Sequence, residues 1–341
     1  MMKKTTIKDL AEYTKLSITT ISLVLNNKGN IPECTKNKIY DAVRELNYVP
    51  NSQARSLITG STHTIGVIIP DISNSFFSEL VHYIQLDFMK IGYDIILCNS
   101  DEEVKNDIKY INLLSSRNVD AIILTLSAES MKEENKDKVL KALDDSHVPR
   151  IFLDRFFEDV YPFIASDNEN SGMMVARCLY ELGHRNFGII TGPLSLNSSR
   201  GRLNGFINEL KSKGIDIPDS NIVYGKYNFE SGYNGAKELI RNSDISCIFA
   251  FNDLQAYGVL KYLKEIGKNV PSDISVVGFD DMAPSSITEP ELTTVRQPIK
   301  DIADGVSQMV ISLIKGEETD SYLKYKCQLI LRESIKDLRY E

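Results

Sequence analysis

No stretch of this 341-residue chain reaches the ~18 consecutive apolar residues that a membrane span needs. The N-terminus, Met1 to Asp9, is basic but has no apolar run behind it. It does not read as a signal peptide, so a cytoplasmic protein is expected. Cysteine is scarce: five residues, at 34, 98, 178, 247 and 327, with no C-x-x-C pair. That odd, scattered set excludes a disulfide framework and reads as reduced, mostly buried small hydrophobes. The four histidines (63, 82, 147 and 184) are isolated, with no H-E-x-x-H, and there is no G-x-S-x-G elbow. Neither phosphate-binding glycine motif, G-x-x-x-x-G-K-[ST] or G-x-G-x-x-G, occurs. Asp280-Asp281 can be imagined as an acid/base pair, but nothing beside it suggests a metal or a leaving group. No enzyme, no cofactor and no metal are therefore expected. Ser334 to Glu341 carries no sustained heptad, so no tetramer through a C-terminal coiled coil is expected.

What is present is ordinary globular material, 42% hydrophobic and 25% charged. The length exceeds a usual single core, so two or three domains are expected. The net charge of −8 hides an asymmetry. Residues 1–60 hold nine Lys/Arg against five Asp/Glu, and the remainder holds 30 against 42. A polyanion would be drawn to the basic head and repelled by the acidic body.

The head has helical periodicity in three short stretches. Ile7, Leu10 and Ala11 share one face. Thr14-Lys15-Leu16 can turn, and Ser17 can cap a second helix, Ile18 to Asn26, with Ile21, Val24 and Leu25 inward and Ile18, Thr19, Ser22 and Leu23 outward. A third helix is expected from Lys36 to Leu46, with Ile39, Ala42, Val43 and Leu46 inward. This is a helix-turn-helix pattern, whose second helix enters the DNA major groove. Pro50 then ends what precedes it, and Asn51 can cap a short helix to about Ile58. So short a helix forms only when something holds it.

Ile7-Lys8-Asp9-Leu10-Ala11, Ser17-x-Thr19-Thr20-Ile21-Ser22, Asn26, Leu46-Asn47-Tyr48-x-Pro50-Asn51 and Ala54-Arg55-Ser56-Leu57 together resemble the lactose/galactose repressor family. The resemblance implies a transcription regulator. Ile18 and Thr19 would read bases, while Thr20, Ser22, Asn26 and Tyr48 would sit on phosphates. Leu57 would wedge into the minor groove between paired hinge helices. The implied DNA contacts also include Thr6, Ser17, Asn51, Ala54 and Arg55. Leu23 departs from the Arg or His of many relatives; it cannot donate to guanine but can touch a thymine methyl.

From Thr64 short apolar strands alternate with amphipathic helices, the pattern of a parallel sheet covered on both faces. Strands are expected at Ile65–Ile69, Tyr93–Cys98, Ala121–Leu126, Arg150–Leu153, Phe187–Thr191, Ile222–Tyr224, Cys247–Ala250 and Ile274–Phe279. Two more follow, at Leu292–Gln297 and around Tyr322–Leu331. The expected fold is α/β: a three-helix head and hinge helix, then a two-lobed, doubly wound domain resembling periplasmic sugar-binding proteins. The expected division is 1–50, 51–60 and 61–341. The lobes would comprise about 61–165 plus 293–322, and about 166–292 plus 323–341.

Candidate ligand residues fall after strands, where a cleft between such lobes lies. They are Asn74, Phe76, Phe77, Asp154, Arg155, Arg202 (expected to open a helix), Tyr227, Asn252, Asp280 and Gln297. Aromatics offer plates for the C–H faces of a sugar, and planar polar groups can grip vicinal hydroxyls. Singly, each has a plain reading as a turn residue, helix cap or core aromatic. Together they resemble the ligand set of ribose-binding proteins, which implies ribose or a related pentose as effector. A purine effector is less favoured, because Leu196 stands where purine-responsive relatives carry an arginine. The resemblance further implies a homodimer on a pseudo-palindromic operator. Rival readings are a catabolite-control regulator with a phosphorylated carrier protein as corepressor, suggested by Gly66 to Asn74, and a plain sugar-binding protein. Arg202→Ala or Asp280→Ala is expected to remove the sugar response and leave folding in place.

Overall fold

Thr6 and Asp9 start the first helix by capping each other. The Thr6 backbone N–H donates to the Asp9 carboxylate (2.7 Å), and the Asp9 N–H donates to the Thr6 hydroxyl (3.4 Å). Such a reciprocal cap satisfies two donors that a helix start otherwise leaves unpaired. The computed structural model describes residues 5–25, 29–48, 61–158, 160–242 and 244–339. It divides into two units, Met1–Thr62 and His63–Glu341, each with its own core.

In the first unit α1 (Ile7–Thr14) ends at Lys15, whose left-handed φ of 55° makes the tight turn. α2 (Ile18–Leu25) is capped by the Ser17 hydroxyl, which accepts from the Thr20 N–H (3.0 Å). α3 runs Glu33–Glu45, one turn earlier than the expected start at Lys36. Pro32 needs no donor there, and Glu33 suits the positive end of a helix. Leu10, Ile21, Val24, Ile39, Ala42 and Tyr48 form the core, so the periodicity identified the inward faces correctly. Asn26 and the stretch 49–60, with Asn51, Ala54, Arg55 and Leu57, lie outside the described residues.

The second unit contains two six-stranded sheets. The first is built from β1 (Thr64–Ile69), β2 (Asp94–Asn99), β3 (Ala121–Leu124), β4 (Arg150–Leu153), β5 (Phe163–Ser166) and β11 (Tyr322–Tyr325), in the order β11-β5-β4-β3-β1-β2. All its pairings are parallel. Helices α4 (Ser75–Lys90) and α11 (Ile299–Lys315) pack into the cluster on one face. Helices α5 (Val104–Ser116) and α6 (Glu133–Ser146) pack into the cluster on the other.

The second sheet is built from β6 (Phe187–Thr191), β7 (Ile222–Tyr224), β8 (Cys247–Ala250), β9 (Ser275–Asp280), β10 (Thr293–Arg296) and β12 (Gln328–Ile330), in the order β12-β10-β9-β8-β6-β7. Only β12 is antiparallel to its neighbour. α7 (Asn168–Glu181) and α8 (Asn197–Ser212) cover one face, α9 (Phe229–Asn242) and α10 (Asp253–Glu265) the other. Every β9 side chain is buried, which is why that strand reads as a continuous apolar run instead of an alternating one.

The chain crosses between the sheets three times: after β5, between β10 and α11, and between β11 and β12. The lobe boundaries expected from sequence need correction here. Thr293–Arg296 belongs to the second sheet, and Leu323 to Tyr325 to the first. The expected single strand around Tyr322–Leu331 is two strands on different sheets, joined by Lys326-Cys327. An extended crossover and an extended strand look alike in sequence, because each lacks helical periodicity. The short β5 was not expected at all.

Candidate functional site

The sheet edges that face each other hold the candidate ligand residues. On the first lobe Asn74 caps α4, its Oδ1 accepting from the Phe76 N–H (3.1 Å). Phe76 and Phe77 begin that helix, buried, with ring centroids 5.1 Å apart. Asp154 and Arg155 leave β4 in a turn where Asp154 holds a left-handed φ of 63°. On the second lobe Arg202 rises from the second turn of α8. It does not open that helix, as expected from sequence; α8 begins at Asn197. Asn252 caps α10, with Oδ1 accepting from the Gln255 N–H (3.0 Å). Asp280 ends β9 with a φ of 114°, and Gln297 lies on the crossover to α11.

All ten expected residues line one narrow space. Ser198 lines it too, and sequence reasoning missed it: one serine near a helix start carries no distinguishing signal. Phe77 lies 5.4 Å from the Arg155 guanidinium, and Tyr227 lies 5.6 Å from that of Arg202. Gln297 links the lobes: its Nε2 donates to Asp280 (2.7 Å) and its Oε1 accepts from Ser166 (2.5 Å).

The electrostatics are those of a dry, nearly charge-balanced site. Burial pushes the Asp280 carboxyl up to about 8; Arg202 opposes this and the charge of Asp253 adds to it. Burial likewise raises Asp154, against the pull of Arg155 and Arg202. Burial works against the charge of Arg155, but Glu102 and Asp154 hold it above its ordinary value. Two atoms stand out. The Asp154 Oδ1 and the Arg155 Nε are buried and make no hydrogen bond. An unpaired buried acceptor and donor each cost about 1–3 kcal/mol, so such groups call for a partner.

Arg202 also has structural partners of its own. Its Nε donates to Asn168 Oδ1 (2.8 Å), its Nη1 donates to the Phe251 carbonyl, and its guanidinium stacks 3.4 Å over Phe279. The expectation that Arg202→Ala leaves folding intact is therefore corrected below. Asp281 is bound elsewhere, accepting from Arg296 Nε and Arg332 Nη2, both at 2.6 Å. It does not form an acid pair with Asp280. Asp253 is fully buried and fully engaged, by Met282 N–H, Ser285 and Thr294.

Leu196 is wholly buried within the first-lobe cluster that contains Leu126 and Phe157, although it belongs to the second-lobe chain. Beside it the Ser195 hydroxyl donates to the Ala128 carbonyl (3.0 Å). This loop closes the lobes on one another by apolar contact.

On the head, Ile18 is 43% exposed and Thr19 is exposed, while Thr20, Ser22 and Leu23 are half-buried. The hydroxyls of Thr6, Ser17 and Thr20 already serve helix starts: Ser17 and Thr20 are 2.8 Å apart. Tyr48 packs in the core of the head.

Residues 6–51 match the family described as bacterial regulatory proteins, lacI family, and residues 176–335 match a periplasmic binding protein-like domain. The ribose operon repressor of Halalkalibacterium halodurans is 33% identical over 97% of each chain. The transcriptional repressor PurR of Klebsiella pneumoniae is 30% identical over 97% of each. A lac repressor dimer bound to operator and the anti-inducer ONPF superposes with a TM-score of 0.87 at 26% identity, over 98% of this chain and 100% of that one. A regulator from Alkaliphilus metalliredigens complexed with D-xylulofuranose gives 0.71 at 28% identity, over 80% of this chain and 99% of that one. With its helix-turn-helix head, its two-sheet body and these relatives, the chain belongs to the lacI family of DNA-binding transcriptional regulators and is not an enzyme.

Proposed function

We propose that this protein is a cytoplasmic, homodimeric repressor of a pentose utilisation operon, with ribose or a close relative as the effector bound between its lobes. The observation that carries the effector class is the orphan pair, Asp154 Oδ1 and Arg155 Nε. A hydroxyl both donates and accepts, so a vicinal diol answers a buried acceptor beside a buried donor. A purine is disfavoured by Leu196, whose apolar side chain is packed away in the first lobe and offers no cation. Exposed Met89, Ile91 and Leu97 on the outer edge of the first lobe support a two-fold dimer. If sugar changes operator affinity by some factor, operator changes sugar affinity by the same factor.

Titrating D-ribose against a labelled operator tests the reading. A changed operator affinity is expected. No change at millimolar ribose, with a response to a phosphorylated carrier protein or a purine instead, would sink the effector assignment. A chain starting at His63 should lose operator binding and keep its sugar affinity, because each unit has its own core. For base reading, Ile18→Ala should leave the head folded, since Ile18 is 43% exposed, and reduce discrimination at one base pair by ~1–3 kcal/mol. Equal loss on operator and random DNA, in competition binding, would remove Ile18 from the reading surface.

A further inference from the structure

Beside the candidate ligand space lies a larger, open one, about 730 Å³, which shares Tyr227 with it. Glu102 stands between the two. It lines the outer space, while its partner Arg155 lines the inner one. The Glu102 Oε2 accepts from Arg155 Nη1 (2.9 Å) and from the Ala128 N–H (2.5 Å). The same Nη1 donates to the Leu126 carbonyl (2.9 Å). Asp101 and Glu102 both hold left-handed φ values, 53° and 58°, in the turn that brings this carboxylate to the guanidinium. Consecutive non-glycine residues in that region are costly, and such strain gathers at functional sites.

We infer that Glu102 makes this cleft select uncharged polyols against their phosphate esters, by neutralising and aiming Arg155. The inference rests on the sugar reading of the site. The inner space has two cations, Arg155 and Arg202; Arg155 is paired with Glu102 at 2.9 Å and lies 3.9 Å from the Asp154 carboxylate. Arg155 is thereby held with its charge matched, and its buried Nε makes no hydrogen bond, the Asp154 carboxylate lying 3.9 Å away. A phosphate ester seated there would place its anion in the outer space. That space has Asp71, Asp101, Glu103 and Glu129 besides Glu102, against Lys105, Lys132 and Lys226. Lys105 is itself spent on Glu103, 2.5 Å away. An anion there therefore meets surplus carboxylate, and the Arg155 guanidinium behind Glu102 is already matched by it.

Glu102→Gln keeps an oxygen for Arg155 and the Ala128 N–H and removes only the charge. Two measurements on the full chain test the inference. In thermal melts at constant ionic strength, inorganic phosphate should raise the melting temperature of Glu102→Gln and leave the wild type unmoved. In calorimetry, the wild type should bind D-ribose well ahead of D-ribose 5-phosphate. Glu102→Gln should shrink that preference by about tenfold while changing ribose affinity little. Equal phosphate shifts in both proteins, or none in either, overturn the role of Glu102, as does wild type binding the ester as tightly as ribose. If phosphate separates the two proteins but neither binds ribose, the charge filter stands and the pentose assignment falls.

Discussion

Arg202→Ala is expected to abolish sugar binding and also to destabilise the body by ~3–5 kcal/mol, the usual cost of removing one partner from a buried charge network. Three separate losses combine. Asn168 Oδ1 and the Phe251 carbonyl lose their donor, and both residues are buried. Phe279 loses the guanidinium stacked 3.4 Å above its ring. Asp154 and Asp280 lose a positive charge that holds both carboxyls down. The ligand effect follows from the same bonds, since they fix the guanidinium within the space that the sugar would fill. Arg202→Lys should recover part of the stability but little of the binding, because an ammonium cannot reproduce the fork or the flat stacking face. Urea midpoints and ribose calorimetry on the three proteins give the answer. An Ala variant with an unchanged midpoint would mean that these bonds carry no net stability.

Asp280→Asn has an effect of opposite sign. The Asp280 carboxyl is pushed to about 8 from an ordinary 3.8, so the folded protein holds a proton there that the unfolded chain has released. Stability from this group is complete below the unfolded value and is lost as pH rises through the folded one. The slope approaches ~1.4 kcal/mol per pH unit while the folded group is protonated and the unfolded one is not. The window from pH 6.5 to 8.5 spans its titration, and the Asp154 and Asp107 carboxyls, also raised by burial, act with the same sign. Asp253, raised to about 6, has largely titrated by then. His184, lowered from 6.5 chiefly by burial, acts below the window with the reverse sign. The thiols of Cys98, Cys178 and Cys327, raised from 9.0 by burial, act above it.

The wild type should therefore melt progressively lower from pH 6.5 to 8.5, and Asp280→Asn should show a clearly shallower slope across that window. The variant still offers an oxygen to Gln297, so the interlobe link is retained. A sugar hydroxyl donating to Asp280 favours the ionised carboxylate, so ribose should bind the wild type about fivefold more tightly at pH 8 than at pH 7. Binding at pH 7 should release close to one proton, seen as a calorimetric enthalpy that varies with the buffer. A wild type with no pH slope, or no proton release, would show that Asp280 titrates in its ordinary range or does not meet the ligand.

The contrast between Arg202 and Asp281 marks how far residue order carries the argument. Both are charged residues close to strand ends in sequence. Arg202 reaches the cleft and three structural partners, whereas Asp281 is held by Arg296 and Arg332. Nothing local separates them, because the hydrogen-bond partners lie 15 to 51 residues away along the chain, and Phe279 lies further still from Arg202. The same limit explains Ser198, the split of the last strand between two sheets, and the insertion of Leu196 into the opposite lobe.

Residue order alone determined the periodic features: the inward faces of three head helices, the alternation of buried strands with covering helices, and the positions after strands where ten ligand candidates meet. Those follow from side-chain repeats of 3.6 and 2 residues and from the rule that parallel sheets present their strand ends to ligands. Only the tertiary structure decided which polar groups pair and which stay unpaired. It left Asp154 Oδ1 and Arg155 Nε orphaned, fixed Glu102 on Arg155, and buried Asp280 deeply enough to keep its proton. Hydrogen bonding and desolvation depend on atoms brought together from distant parts of the chain, and no local pattern records them.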